Sequence, residues 1–283
     1  MNSSELADYV TRSIQLALSE DVGSGDLTAG LVPARQTAVA RVIAREACIL
    51  CGRPWFDEVF AQLDSAVRID WHCHEGAAVT AEQTVCTLSG TARSVLTGER
   101  TALNFLQSLS ATATAAHAYV DSVSGTDTVI LDTRKTIPGL RLAQKYAVRT
   151  GGAQNHRIGL FDAILIKENH IASGGGIGPT LEAAFAIDGD VLVEIEVETL
   201  DQAREALEAG AHRLLLDNFS LDGLATAVQL RNDIAPTITL EASGGITLDN
   251  VRAVAETGVD FISIGALTKD VQAIDLSMQF ELQ

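Results

Sequence analysis

Between Arg134 and Lys167 the sequence reads RKTIPGLRLAQKYAVRTGGAQNHRIGLFDAILIK. It holds seven bases (Arg134, Lys135, Arg141, Lys145, Arg149, Arg157 and Lys167) against one acid, Asp162. This local charge of +6 sits in a chain of 283 residues with a formal net charge of −17, and it takes three of the four lysines. Like charges crowded without counter-charges repel, so a polyanionic ligand is the natural completion of such a segment. Arg141, Lys145 and Arg149 stand four apart and fit a solvated basic helix face. Arg134, Lys135 and Lys167 do not, because each follows an apolar, strand-like run.

Those runs belong to a pattern. From Asp127 onward, VIL at 129–131, AILI at 163–166, VLVEIEV at 191–197, LLL at 214–216, ITL at 238–240 and FISI at 261–264 alternate with mostly helical intervals. Near-continuous apolar strands alternating with helices imply parallel βα units. Six units are too few for a closed eight-unit barrel, which needs about 250 residues. An incomplete, open α/β barrel is expected, with a doubly wound open sheet as the alternative.

Ligands of parallel α/β folds sit at the C-terminal ends of the strands. There the runs deliver Asp132-Thr133-Arg134-Lys135, Lys167-Glu168-Asn169-His170, the acids Glu194, Glu196 and Glu198 on one face, Asp217-Asn218, Glu241 leading to Ser243-Gly244-Gly245, and Gly265. Charges so close to buried strands are costly unless paired with one another or with a ligand. Together they describe a polyanion site. Ser243-Gly244-Gly245 is expected to end a strand and open a helix, offering bare N–H groups to a phosphate, with Gly265 letting backbone approach the same group. Glu196 and Asp217, on consecutive strands, suit ribose hydroxyls or a magnesium ion. Gly174-Gly175-Gly176-Ile177-Gly178 is expected to be a flexible connection.

The elements before Asp127 read as α+β. A helix is expected over 2–20, with a capping box from Asn2 to Glu5 and an apolar stripe of Leu6, Val10, Ile14 and Leu18. Strands are expected at 37–50 and 67–71, and helices at 55–63, 92–109 and 112–123, with a domain boundary near 111. Cys48, Cys51, His72, Cys73 and His74 superficially offer zinc ligands. On a strand, however, positions i and i+3 point to opposite faces, and H-x-H lacks the usual spacing. Buried reduced thiols are the expectation. The acidic balance (pI near 4.6) excludes a surface-wide basic patch for nucleic acid. MNSSELADYV lacks the basic start and apolar core of a signal peptide, and no apolar run nears the roughly 18 residues of a membrane span. A soluble, cytoplasmic protein is expected.

Several longer motifs carry a family resemblance. EDVGSGDLT, GERTALNFLQ, TRKTIPGLRLAQKYAV, GGAQNHRIGLFDAILIKENH, EIEVE, LLLDN, EASGGI and ISIGALT occur in order across most of the chain. The set closely resembles the quinolinate phosphoribosyltransferases, type II phosphoribosyltransferases that join quinolinate and phosphoribosyl pyrophosphate into nicotinate mononucleotide, pyrophosphate and carbon dioxide. The resemblance implies an N-terminal α/β sandwich domain over 1–111, rejoined by the tail 271–283, and an incomplete α/β barrel over 112–270. It implies Mg²⁺ as cofactor, a place in NAD biosynthesis, and a homodimer. Arg134, His156, Arg157 and Lys167 would form the quinolinate pocket, with Arg100 reaching in from the neighbouring subunit. Lys135 would serve the phosphoribosyl pyrophosphate side. Glu196 and Asp217 would meet the ribose hydroxyls and the metal, and Ser243, Gly244, Gly245 and Gly265 the 5′-phosphate. Lys269 stands where the family usually has histidine after GALT and can meet pyrophosphate as a point charge. Ala153 replaces a usual glycine. Competing readings are a related pyridine-carboxylate transferase, a Schiff-base lyase built on Lys167, and a non-catalytic binding protein, which would lack the acidic pair.

Overall fold

A computed structural model of the chain describes residues 3–187 and 191–283. Its chain forms two compact units: Met1–Ala115 with Leu142–Gly151 and Asp270–Gln283, and Ala116–Arg141 with Gly152–Lys269. The domains expected were 1–111 with the tail 271–283, and 112–270; two local features bear on the elements near those bounds. The helices expected at 92–109 and 112–123 are one helix, α3 (Ala92–Ser122), because no Gly or Pro interrupts it around residue 111. And α4 (Arg141–Thr150) buries Ala143 and Ala147 in the core of the first unit.

In the first unit, α1 (Ser3–Asp21) buries Val10 and Ile14; the capping partner expected at Asn2 lies outside the described residues. The apolar stretch after Thr37 divides. β1 (Thr37–Ala44) joins one sheet, and β2 (Cys48–Ile49) pairs with β4 (Ala78–Val79) in another. The main sheet is antiparallel in the order β12-β1-β5-β3, where β3 is Arg68–Trp71, β5 is Thr84–Thr91 and β12 is Leu276–Leu282. α2 (Arg53–Leu63) contributes Trp55, Phe56 and Phe60, all fully buried. Lys145, expected on a solvated face, is buried within α4, while Arg149 is exposed. All four cysteines are buried free thiols. Burial, then Glu46, pushes the Cys48 thiol up to about 11. The neighbouring histidines are tied elsewhere, His72 Nε2 to Thr87 Oγ1 at 2.9 Å and His74 Nδ1 to the Glu75 carbonyl at 3.0 Å.

Among the described residues, the second unit holds six parallel strands: β6 (Val129–Leu131), β7 (Ile164–Ile166), β8 (Val193–Val197), β9 (Arg213–Asp217), β10 (Thr239–Ser243) and β11 (Phe261–Ser263). Their order is β6-β11-β10-β9-β8-β7. Read from β7, the order follows the chain without reversal and returns to β6 beside β11. A doubly wound sheet reverses its order partway, so that alternative is excluded. The sheet stays open between β6 and β7, as expected for an incomplete barrel. Helices α5 (Glu168–Gly174) and α6 (Ile177–Phe185) both follow β7, and α7 (Leu200–Glu208), α8 (Leu221–Ile234) and α9 (Val251–Ala255) follow β8, β9 and β10. α10 (Ala266–Lys269) follows β11. The glycine run expected to be flexible is instead a tight turn between α5 and α6, with φ +86° at Gly175 and +119° at Gly176. A Cβ on Gly174 would fall 2.2 Å from Thr180 Oγ1, so that position needs glycine for space.

Gly98, within α3, tests packing against propensity. Alanine there should gain up to about 1 kcal/mol of helix stability. Its Cβ, however, would sit 2.5 Å from a ring carbon of the fully buried Phe60, and overpacking costs about 1–3 kcal/mol. Gly98→Ala should therefore lower the urea midpoint. Gly178→Ala in α6, with nothing within 4 Å of the added carbon, should raise it by the equivalent of about 0.4–1 kcal/mol.

Candidate active site

Successive side chains of a strand point to opposite faces. Val193, Ile195, Val197, Leu214, Leu216, Leu240 and Ala242 are buried on one face of the parallel sheet. The other face carries Glu194, Glu196, Arg213, Leu215, Asp217, Thr239, Glu241 and Ser243. Register sets Arg213 beside Glu194 and Thr239, Leu215 beside Glu196 and Glu241, and Asp217 beside Ser243. At the C-terminal end of this polar face opens a cavity of about 620 Å³. Its wall includes Arg134, Lys135, His156, Arg157, Lys167, Glu196, Asp217, Ser243 and Gly244, nine of the residues singled out in the sequence. Thr133, Asn218, Glu241 and Ser263 line it as well. Glu198, expected beside Glu196, lies beyond the strand and is exposed.

Asp132 positions the loop that brings in His156 and Arg157. It is fully buried at the end of β6, and its carboxylate accepts from Asn155 Nδ2 at 2.7 Å and from the His156 backbone N–H at 2.8 Å. Gln154 pairs alongside Leu131, extending the sheet by one bridge. Asp162 closes the far side of the loop by accepting from the N–H groups of Ile158 and Gly159. Arg157 donates to the Ala163 carbonyl at 3.3 Å. Burial, then the neighbouring Arg134, disfavours its charge and lowers its pKa. The Nε of Arg134 is buried without a hydrogen-bond partner among the described residues. Lys167 Nζ meets Glu196 Oε2 at 2.5 Å, and its backbone N–H is held by His170 Nδ1 at 3.0 Å.

At the base of the cavity His156 meets Glu194 and Glu241, two acids of the expected strand-end set, together with Arg213, which the sequence did not single out. His156 Nε2 stands 2.8 Å from Glu194 Oε2 and 3.3 Å from Glu241 Oε2, and both carboxylates are fully buried. Arg213 approaches Glu241 at 3.5 Å and covers the Phe261 ring at 3.9 Å. Burial alone would lower the imidazole pKa; the two carboxylates more than offset this and push it up to about 9. Against that, the Arg157 backbone N–H donates to Nδ1 at 2.8 Å, where a second ring proton would have to sit. A backbone N–H cannot relocate its hydrogen, so this geometry assigns the neutral Nε2–H tautomer. The carboxylates' demand for a proton then falls on Glu194, which burial, then Glu241, pushes up to about 7. Among the described residues, the Oε1 atoms of Glu194 and Glu241 have no hydrogen-bond partner.

The glycines make the opposite wall. Asn218 takes φ +56° and donates its side chain to Asp217 Oδ2 at 2.7 Å, fixing that acid. Gly244, at φ +98°, passes so close to Asn218 that a Cβ would fall 2.1 Å from its Oδ1. The helix expected to open directly after Gly245 begins only at Val251, so the loop offers backbone N–H groups rather than a helix end. Gly265 lies under Lys135 and Lys269. A Cβ there would be 3.2 Å from Lys135 Cδ and 3.9 Å from Lys269 Cε, so the bare backbone lets both lysines converge. Arg100 is exposed on α3, in the other compact unit.

A parallel open barrel with cations, acids and bare glycines at its strand ends defines an enzyme site for a multiply charged anion. Two family models cover nearly the whole chain: the quinolinate phosphoribosyl transferase N-terminal domain over residues 26–110 and the C-terminal domain over 112–279. The chain is 40% identical over 267 residues to a probable nicotinate-nucleotide pyrophosphorylase (carboxylating) of Synechocystis, covering 94% of this chain and 90% of that one. It is also 40% identical to the Mycobacterium leprae nicotinate-nucleotide pyrophosphorylase (carboxylating), covering 96% and 97%. Among solved structures, the nicotinate-nucleotide pyrophosphorylase of Francisella tularensis superposes with a TM-score of 0.94 at 48% identity, covering 97% of each chain. The chain belongs to the quinolinate phosphoribosyltransferase family.

The approach of Gly244 to Asn218 gives a direct check on this wall. Gly244→Ala should cost about 1–3 kcal/mol in backbone strain, measured by urea unfolding. Gly245→Ala should cost less, since nothing lies within 4 Å of its added carbon and its φ of +61° lies in the ordinary left-handed region.

Proposed function

We propose that this chain transfers a phosphoribosyl group from phosphoribosyl pyrophosphate to quinolinate with decarboxylation, forming nicotinate mononucleotide, pyrophosphate and carbon dioxide for NAD biosynthesis. The observation that carries this reading is the gathering of Arg134, Arg157, Lys135 and Lys167 with Glu196 and Asp217 around one cavity. Quinolinate brings two carboxylates and its co-substrate a phosphate and a pyrophosphate, enough negative charge to neutralise that crowd. Arg134 and Arg157 suit bidentate carboxylate recognition, with Lys167 beside them and His156 on the same wall. Ser243, Gly244, Gly245 and Gly265 receive the 5′-phosphate on bare backbone, and Lys135 and Lys269 meet the pyrophosphate.

In the reaction the pyridine nitrogen forms a bond to C1′ as the bond from C1′ to pyrophosphate oxygen breaks. Positive charge grows on the ribose, where Glu196 and Asp217 stabilise it, and negative charge leaves with pyrophosphate toward Lys135. The product ring is a pyridinium. It accepts the electron pair released when the bond to the 2-carboxylate breaks, and the ring carbon then takes a proton from water. No separate decarboxylation cofactor is needed. The donor set fits Mg²⁺, which typically takes one or two carboxylates plus substrate phosphates, so Glu196 and Asp217 would hold it. Bound there, the ion would neutralise charge on the diphosphate. We further infer a cytoplasmic homodimer in which Arg100 enters the neighbouring subunit's pocket; its exposure on α3 supports that role.

The Schiff-base alternative loses ground because Lys167 is engaged by Glu196 and the cavity carries no other signal of carbonyl chemistry. A turnover assay with quinolinate, phosphoribosyl pyrophosphate and magnesium should release one carbon dioxide per nucleotide and show no turnover of nicotinate. Arg134→Ala and Lys167→Ala should each reduce kcat/KM by about 100-fold or more with unchanged circular dichroism. Near-normal rates in both would remove the assignment.

A further inference from the structure

His156 lines the cavity, but neither ring nitrogen is available to a ligand. Nε2 is engaged by the buried carboxylates of Glu194 at 2.8 Å and Glu241 at 3.3 Å. Nδ1 accepts the backbone N–H of Arg157 at 2.8 Å. The peptide before His156 is held as well, because the His156 N–H donates to Asp132 Oδ1 at 2.8 Å. Both peptide groups flanking this residue are thus pinned, one by a buried acid and one by the residue's own ring. The ring in turn is pinned by a second buried acid. Such local side-chain-to-backbone bonds fix a loop conformation. What the loop conformation sets is the entry of Arg157, whose guanidinium shares the cavity wall with Arg134. Two like charges there push apart unless their backbones are held, and bidentate carboxylate recognition tolerates little displacement.

We propose that His156 is a positioning residue and not a substrate ligand: it links the buried Glu194 and Glu241 to the backbone of Arg157 and so fixes where the Arg157 guanidinium meets a carboxylate of the substrate. This rests on the quinolinate pocket proposed above and changes one role within it. The same three side chains offer ligand atoms within 4.8 Å of one another, a spacing that would also accept a metal ion. The direct Nε2 contact to Glu194 occupies that space, and the hydrogen-bonded arrangement is the one adopted here.

The test reads the ring itself. The chain with ¹⁵N-labelled histidine would be examined by long-range ¹H–¹⁵N correlation, with His156→Asn assigning its signal among the six histidines. The expected result is a neutral Nε2–H tautomer at neutral pH whose Nδ1 resonance is unmoved by saturating quinolinate. A doubly protonated ring, or an Nδ1 resonance that shifts as quinolinate binds, would overturn the proposal. Steady-state kinetics supply the second readout. His156→Leu should raise KM for quinolinate about tenfold, the scale of one buried hydrogen bond left unmade, with KM for phosphoribosyl pyrophosphate unchanged. His156→Asn, which keeps an acceptor near the Nδ1 position, should recover most of that loss. Equal losses in both variants would count against the linkage to Arg157. An unlabelled chain that fails to turn over quinolinate would remove the functional reading while leaving the tautomer measurement interpretable by itself.

Discussion

Two carboxylates, Glu194 and Glu241, are sealed from solvent beneath the cavity, and the chemistry above depends on how their charge is met. An isolated buried carboxylate is far too costly to persist ionised. Here Arg213 approaches Glu241, His156 donates toward both acids, and Glu194 is driven toward its protonated form. With Arg213 against Glu241, His156 donating toward both acids and Glu194 shifted toward its protonated form, the cluster meets most of its own charge. It forms a rigid, electrically quiet floor, and the charge that ligands meet is concentrated in the layer above it.

That upper layer is unbalanced in the opposite sense. Arg134, Lys135, Arg157 and Lys167 face the cavity, while Glu196 is committed to Lys167 and Asp217 is braced by Asn218. The buried Nε of Arg134, without a hydrogen-bond partner among the described residues, and the lowered pKa of Arg157, caused first by burial and then by Arg134, are the local signs of that imbalance. A site that holds like charges together before its ligand arrives stores part of the recognition free energy in its own backbone. This is why Asp132, Asp162 and the glycines at 244, 245 and 265 matter as much as the cations they place.

Much of this was legible in the amino-acid sequence because strand periodicity is local. The six apolar runs, with the charges in and immediately after them, identified the strand ends and seven residues of the cavity wall, while Arg157 stood out in the basic stretch and His156 through the family resemblance. Where reading failed, the deciding partner was distant in sequence. Nothing near Lys145 announces that α4 turns it inward. Gly174 looked like slack until Thr180 came within reach of its missing side chain. Glu194 and Glu241 could be read as inner-face acids, but their meeting with His156 depends on sheet register, which no stretch of sequence states. The break expected near residue 111 failed for a simpler reason: a boundary between compact units need not interrupt a helix.

The central claim is that a dianionic ligand completes the positive layer from within the cavity. A crystal structure of the chain with pyridine-2,3-dicarboxylate would test it most directly. One carboxylate should pair with the Arg157 guanidinium and the other with Arg134 and Lys167, with Lys135 left facing the glycine wall. A dicarboxylate bound elsewhere, or arginines turned out into solvent around an empty cavity, would contradict it.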